Sequence, residues 1–130
     1  MQTVMIATSV EPLEKQLRNH LCSKYEIYSC CSGDAAITQL NLIKPDILVI
    51  DLQLPFINGF SVLQRSCHKP GIILALTSYA NEEILQIAGN MGIASVILLP
   101  NTTDVIMSTL DTLIKEKALP RSTTRRGDNI

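Results

Sequence analysis

Asp51 is the acidic residue of this chain whose position best suits chemistry. It directly follows the apolar run Ile47-Leu48-Val49-Ile50 and precedes Pro55 and the turn signal Asn58-Gly59. A run that is apolar at every position is typical of a strand buried on both faces of a parallel sheet. Open α/β sheets bind ligands at the carboxyl ends of their strands, so we expect Asp51 at a functional edge. The alternative is a structural carboxylate that caps the loop after the strand.

Hydroxyl groups follow a second apolar run, at Thr77 and Ser78. They could donate hydrogen bonds at the same edge of the sheet, or simply end a strand before a helix cap.

The sequence does not indicate a metal site, because His20 and His68 are not spaced from the cysteines as metal ligands are, and no C-x-x-C pair occurs. We interpret the cysteines as reduced apolar residues, with a vicinal redox pair as the alternative. The four are Cys22, Cys30, Cys31 and Cys67.

Length and composition describe one ordinary soluble domain. The chain has 130 residues, of which 46% are hydrophobic and 18% charged, and its net charge is -1. These values exclude a disordered chain. They also argue against a strong electrostatic field that would attract nucleic acids or membrane surfaces. No apolar run approaches the roughly 20 residues of a membrane span, and the N-terminus lacks a signal-peptide pattern. We therefore expect a cytoplasmic protein without membrane or nucleic-acid contacts of its own.

Five strand-like segments alternate with five amphipathic segments. The predicted strands are Thr3–Ala7, Glu26–Cys31, Asp46–Ile50, Ile72–Leu76 and Ala94–Leu99. The predicted inward helix residues are Leu13, Leu17 and Leu21; Ala36, Ile37, Leu40 and Ile43; Phe60, Val62 and Leu63; Ile84, Ile87, Ala88 and Met91; and Val105, Ile106, Leu110, Leu113 and Ile114. The candidate caps are Ser32 or Gly33, Asn81, Gly92, and one of Asn101, Thr102 and Thr103. This alternation predicts a parallel sheet with helices on both faces, although periodicity leaves the strand order open.

The chain resembles the receiver domains of bacterial response regulators over about residues 3–116. Asp51 with Pro55, Asn58-Gly59, Thr77 and Pro100 carries the resemblance. It implies an α/β, flavodoxin-like (βα)5 doubly wound sheet with strand order 2-1-3-4-5. We expect a receiver-like domain over residues 1–118, with 119–130 as a flexible tail or the start of a linker.

The resemblance also implies roles for single residues. Asp51 would be the phosphoacceptor, the backbone carbonyl of Gln53 a metal ligand, and Thr77 the switch hydroxyl. Pro55, Asn58 and Gly59 would shape the pocket loop. Pro100 would follow a cis peptide bond.

Other positions depart from the family pattern. Leu99 occupies the position of the family's lysine, and Val96 that of an aromatic switch residue. The family's acid pair falls on Ser9-Val10, or on Thr8-Ser9 if the gap is moved. Leu99 is expected to fold against its neighbours and leave Asp51 to solvent and backbone donors.

Without that acid pair, Mg²⁺ is expected to bind weakly or not at all. Asp51, Glu11 and Gln53 would be its only ligands.

The resemblance implies a phosphoacceptor-type signalling domain in a two-component phosphorelay, and not an enzyme. Its expected partners are a sensor histidine kinase and an attached output domain that binds DNA. A homodimer could form through helix four, strand five and helix five.

Two alternatives stay open. One is a pseudo-receiver that interacts with partners without phosphorylation. The other is a small flavodoxin-like cofactor binder, which is disfavoured because the turn Thr8–Pro12 has no glycine-rich phosphate loop and few aromatic residues are available.

Overall fold

The computed structural model describes residues 2–100 and 103–118 of the chain. Within those residues, strands and helices alternate without exception. The strands are β1 (Thr3–Ala7), β2 (Glu26–Cys30), β3 (Ile47–Asp51), β4 (Ile72–Thr77) and β5 (Ser95–Leu98). The helices are α1 (Glu11–Leu21), α2 (Gly33–Ile43), α3 (Gly59–Arg65), α4 (Glu82–Asn90) and α5 (Thr103–Ala118).

The five strands form one parallel sheet in the order β2-β1-β3-β4-β5. This confirms the predicted flavodoxin-like (βα)5 fold and its strand order. β3 is the central strand, and all five of its residues are buried. Its neighbours are in register, with Ala7 of β1 opposite Ile50 and Leu76 of β4 opposite Asp51. The carboxyl ends of β1, β3 and β4 therefore meet at one edge.

The sheet separates two apolar cores, because successive strand residues face opposite sides. Leu48 and Ile50 of β3 face the core formed with α2, α3 and α4. Ile47 and Val49 face the core formed with α1 and α5. This two-sided burial is the physical reason for the continuous apolar run before Asp51.

Most predicted element boundaries agree with the structure to within one or two residues. Asp51 is the last residue of β3 instead of the residue after it, because it still pairs with Leu76 in the ladder. β4 likewise extends to Thr77, and β2 ends at Cys30. Both candidate polar residues thus belong to strand ends, which fixes their backbones more firmly than a loop would.

The prediction of inward faces was wrong for Ile87 and Val105, whose exposed fractions are 40% and 42%. Both residues lie on helices beside β5, the four-residue edge strand. Leu98 of that strand is itself 52% exposed. A short edge strand offers little apolar surface, so the helices next to it cannot bury their full apolar stripes.

Local capping signals were informative. The side chain of Asn81 accepts a hydrogen bond from the Ile84 amide at 2.8 Å and caps α4 as predicted. Gly92 follows that helix with φ +81°, a conformation that glycine adopts without steric cost. Ser32 stands at the N-cap of α2 without a side-chain cap bond. The candidate caps Asn101 and Thr102, and the predicted tail 119–130, lie outside the described residues.

No helix in the described part of the chain is long and apolar enough to cross a membrane.

Candidate functional site

The Asp51 carboxylate is buried at the edge where β1, β3 and β4 end. The residue is only 5% exposed. Its Oδ1 accepts a hydrogen bond from the Gln53 amide at 2.8 Å, and its Oδ2 accepts one from the Thr8 hydroxyl at 3.3 Å. The expectation that Asp51 would be left to solvent was therefore wrong, whereas the expected backbone donor is present as the Gln53 amide. A central strand and a hydroxyl from the neighbouring strand end cover it instead.

Thr8 is the site residue that sequence reasoning underestimated. Because Ala7 lies opposite Ile50, the next residue of each strand brings Thr8 opposite Asp51. Thr8 is 3% exposed, and its oxygen also accepts a hydrogen bond from the Val10 amide at 3.1 Å. Ser9 and Val10 lie on the surface. The useful signal was the apolar run of β1, which ends at Ala7 and makes Thr8 the first polar residue after it.

The neighbourhood of Asp51 holds no cationic group among the described residues. The ion pairs in the described part of the chain join Lys15 to Glu11 at 3.0 Å and Arg18 to Glu14 at 2.8 Å, and they lie within α1. Glu11 is thus exposed and paired elsewhere. It lines a neighbouring cleft, not the one lined by Asp51.

The edge of the sheet around Asp51 offers few side chains that could bind a metal ion. Within the described residues, no group of three or more histidine, cysteine or acidic side chains could hold one. Gln53 and Asp51 both line the same cleft, but among the described residues Asp51 is the only carboxylate there. Mg²⁺ usually binds through one or two carboxylates together with water and substrate phosphate oxygens. Weak binding stays the prediction for this chain.

Leu99 directly follows β5 and lies beside this cleft. Its amide donates a hydrogen bond to the Thr77 carbonyl at 2.6 Å, and its half-buried side chain packs against the core under α1 and α5. Leu99 also lines the cleft that contains Asp51. Leu99 therefore contributes apolar surface to a cleft whose lining also includes the polar residues Ser9, Gln16, Gln53 and Ser78. The Leu99-Pro100 peptide bond is cis, as expected from the resemblance.

Thr77 lies at the end of β4 and is 2% exposed. Its hydroxyl donates to the Tyr79 carbonyl at 2.8 Å and accepts from the Tyr79 amide at 3.2 Å. The hydroxyl is therefore bonded within its own loop, and not to Asp51. Val96, at the aromatic switch position, is partly buried against the core under α2, α3 and α4.

The side chain of Gln53 joins the loops after β3 and β4. Its Oε1 accepts hydrogen bonds from the Ser78 amide at 2.8 Å and from the Ser78 hydroxyl at 2.5 Å. The Gln53 backbone amide meanwhile binds Asp51. One residue thus connects the buried carboxylate to the β4–α4 loop. This bridge uses the side chain, whereas the sequence-based role of Gln53 concerned only its backbone carbonyl.

The loop between β3 and α3 is packed tightly against its surroundings. Asn58 caps α3 by accepting a hydrogen bond from the Ser61 amide at 3.0 Å. The Gly59 amide binds the Leu52 carbonyl at 3.0 Å, and a Cβ on Gly59 would lie 2.8 Å from the Leu52 Cα. The Pro55 carbonyl accepts from the Gly33 amide at 3.0 Å. These contacts fix the loop that carries Gln53.

A polar network ties α1 to β2 beside the site. The carboxylate of Glu14 accepts hydrogen bonds from Arg18 at 2.8 Å and from Ser29 at 2.5 Å. Arg18 also donates to the Ser29 hydroxyl at 2.6 Å. Burial raises the pKa of Glu14, but these hydrogen bonds outweigh burial and hold the pKa below its usual value.

All four cysteines are free thiols. Cys30 is half-buried against the core, whereas Cys31 is exposed. Reduced thiols stay the prediction, with a vicinal redox pair as the alternative. Burial, with a smaller contribution from Cys31, raises the pKa of the Cys30 thiol to about 12. Cys30 is therefore a protonated, unreactive thiol at neutral pH.

The family model of the response regulator receiver domain matches residues 5–111. The chain belongs to this family. It is therefore the receiver domain of a response regulator in two-component signalling, a signalling module and not an enzyme. Receiver domains act through other signalling proteins, such as histidine kinases.

A curated relative supports the family. The positive alginate biosynthesis regulatory protein of Pseudomonas aeruginosa is 28% identical over 76 residues, which cover 53% of this chain and 31% of the relative. The matched part thus spans about a third of that relative's length.

Solved receiver structures share the fold at low sequence identity. The signal receiver domain of a putative Luxo repressor protein from Vibrio parahaemolyticus has a TM-score of 0.77 and 16% identity, covering 96% of this chain and 98% of that one. The non-phosphorylated HemR receiver domain of Leptospira biflexa has a TM-score of 0.79 and 23% identity, covering 98% and 99%. A CheY-like receiver from Methanospirillum hungatei has a TM-score of 0.80 and 17% identity, covering 90% and 96%.

Proposed function

We propose that this receiver signals through protein contacts, without phosphorylation of Asp51. The observation that carries the proposal is the state of Asp51, which is buried against the Thr8 hydroxyl with no cationic partner in the described residues. Phosphoryl transfer depends on positive charge that neutralises the oxygens of the transferred group. The apolar Leu99 side chain provides none.

The surface around β5 supports contacts with other proteins. Exposed apolar side chains lie on α4, β5 and α5, with exposed fractions between 40% and 52%. They are Leu85, Ile87, Leu98 and Val105. A group of apolar residues on neighbouring elements of a small domain suits a protein interface. We propose that this face binds a second receiver or an attached output domain, which would be a DNA-binding domain.

A second candidate function is slow phosphorylation of Asp51 by a sensor histidine kinase. The favouring observation is the pairing of Asp51 with Leu76, which brings the neighbouring Thr77 to the same strand-end region. Thr77 would have to give up its hydrogen bonds with Tyr79 before its hydroxyl could bind a phosphoryl oxygen. A receiver of this kind would respond to phosphodonors slowly, and only at high concentration.

Intact-mass spectrometry after incubation with acetyl phosphate, with and without Mg²⁺, separates the two functions. We expect no added phosphoryl group on the natural protein. Labelling of one group per chain, fast or slow, that is lost in Asp51→Asn would overturn the proposal and favour the second function.

A designed gain of activity tests the physical reason. The double variant Thr8→Asp with Leu99→Lys places a carboxylate and an ammonium beside Asp51 and should increase Mg²⁺-dependent labelling. The matched control combines Leu99→Lys with Thr38→Asp, because Thr38 is an exposed threonine of α2 that does not line the cleft beside Asp51. Equal labelling of both double variants would show that the position facing Asp51 does not limit the reaction.

A further inference from the structure

A cleft of about 590 Å³ opens beside Asp51, between α1 and the segment after β5. Apolar side chains form much of its wall, from Leu13 of α1 to Leu99 and Pro100. Val10 and Pro12 line it from the β1–α1 connection. Ser9, Gln16, Gln53 and Ser78 also line it, so the cleft combines a buried carboxylate with a wall that is partly apolar and partly polar.

The Asp51 carboxylate has hydrogen-bonding capacity that the described residues do not use. Each of its oxygens accepts one hydrogen bond, from Gln53 and from Thr8, whereas a carboxylate can accept about four. No lysine or arginine of the described residues pairs with it. A buried carboxylate gains strongly from a cation that can reach it, because water supplies little stabilisation there.

We infer that this cleft binds a small primary ammonium that carries a short alkyl chain. The compact head group would donate hydrogen bonds to Asp51, and the chain would lie along Leu13, Leu99 and Pro100. A divalent metal suits the cleft less well, because Asp51 is the only carboxylate that lines it in the described part of the chain. The inference rests on the proposed function and adds a signal to it, because an amine bound to Asp51 could regulate the receiver without a phosphoryl group.

Titration of the ¹⁵N-labelled protein with n-butylammonium tests the inference. The reporters are the Gln53 amide, which binds Asp51, and the Ser78 amide, which binds the Gln53 side chain. We expect saturable shifts at both amides. The neutral analogue 1-butanol, titrated at the same ionic strength, should bind at least about tenfold more weakly, because it lacks the charge-assisted bond.

Three variants sharpen the test. Asp51→Asn keeps the shape of the side chain and should abolish the difference between the amine and the alcohol. Leu99→Lys should also lose amine binding, because its own ammonium would occupy the site. Asp111→Asn changes an exposed carboxylate of α5 outside the cleft and should bind n-butylammonium as the natural protein does. A thermal melt of each variant verifies folding.

Equal binding of amine and alcohol, or full amine binding by folded Asp51→Asn, would overturn the inference. So would the absence of saturable shifts. None of these readouts involves a phosphodonor. Failure of amine binding is therefore distinguishable from failure of the proposed function, which the mass measurement decides independently.

Discussion

Replacement of Gly33 by alanine is expected to lower the free energy of unfolding by about 2–4 kcal/mol. Gly33 is the first residue of α2, and its helical backbone would by itself accept an alanine. The obstacle is tertiary. A Cβ at this position would lie 1.8 Å from the carbonyl oxygen of Ile57 and 2.6 Å from the Ile57 Cβ. Carbon and oxygen atoms that are not bonded stay beyond 3.0 Å, so the loop or the helix must move by more than an ångström.

The size of the loss follows from what such a movement would break. The Gly33 amide donates to the Pro55 carbonyl at 3.0 Å, a bond of about 1 kcal/mol that would lengthen. Overpacking of a tightly packed region adds about 1–3 kcal/mol. The displaced loop also carries Gln53, so the bridge to Ser78 should weaken at the same time.

Urea unfolding followed by circular dichroism measures the change. Gly89→Ala is the matched control, because Gly89 also lies in a helix but an added Cβ would meet nothing within 4 Å. Alanine has the higher helix propensity, so Gly89→Ala should stabilise the protein by roughly 0.5–1 kcal/mol. The opposite signs of the two substitutions are the diagnostic result. If Gly33→Ala were neutral or stabilising, the close approach of the β3–α3 loop to α2 would be incorrect.

Three further substitutions test other parts of the structure. Glu14→Gln should reduce the loss of stability on acidification below about pH 4.5. A carboxylate whose pKa is lowered in the folded state stabilises the protein at neutral pH, and this stabilisation is lost as the pH falls through the lowered pKa. Urea unfolding at several pH values between neutral and acidic conditions measures the change. Gln53→Ala should speed hydrogen exchange of the Ser78 amide by about tenfold, because that amide loses its acceptor; unchanged exchange would show that the bridge is not formed in solution. Asn81→Ala should cost about 0.5–2 kcal/mol in thermal unfolding, because the first turn of α4 loses its side-chain cap.

The amino-acid sequence determined the fold class, because the relevant signals are local. An apolar run bounded by polar residues identified β3, and the spacing of Leu13, Leu17 and Leu21 identified α1. Asn81 was recognisable as a cap from its position before a helical segment. Strand order was not contained in these patterns and came from the resemblance to receiver domains. The sheet of the structure confirms it.

The surroundings of Asp51 depend on contacts between distant parts of the chain. Thr8 and Asp51 are 43 residues apart and meet only because β1 and β3 pair in one register, since a shift of one residue would turn the side chains to opposite faces. The bridge from Gln53 to Ser78 likewise spans two loops. Sequence alone therefore marked Asp51 as the candidate residue. Only the tertiary structure decided that it is buried beside a threonine hydroxyl and shares a cleft with Leu99 and Pro100, because strand register and helix packing place those neighbours.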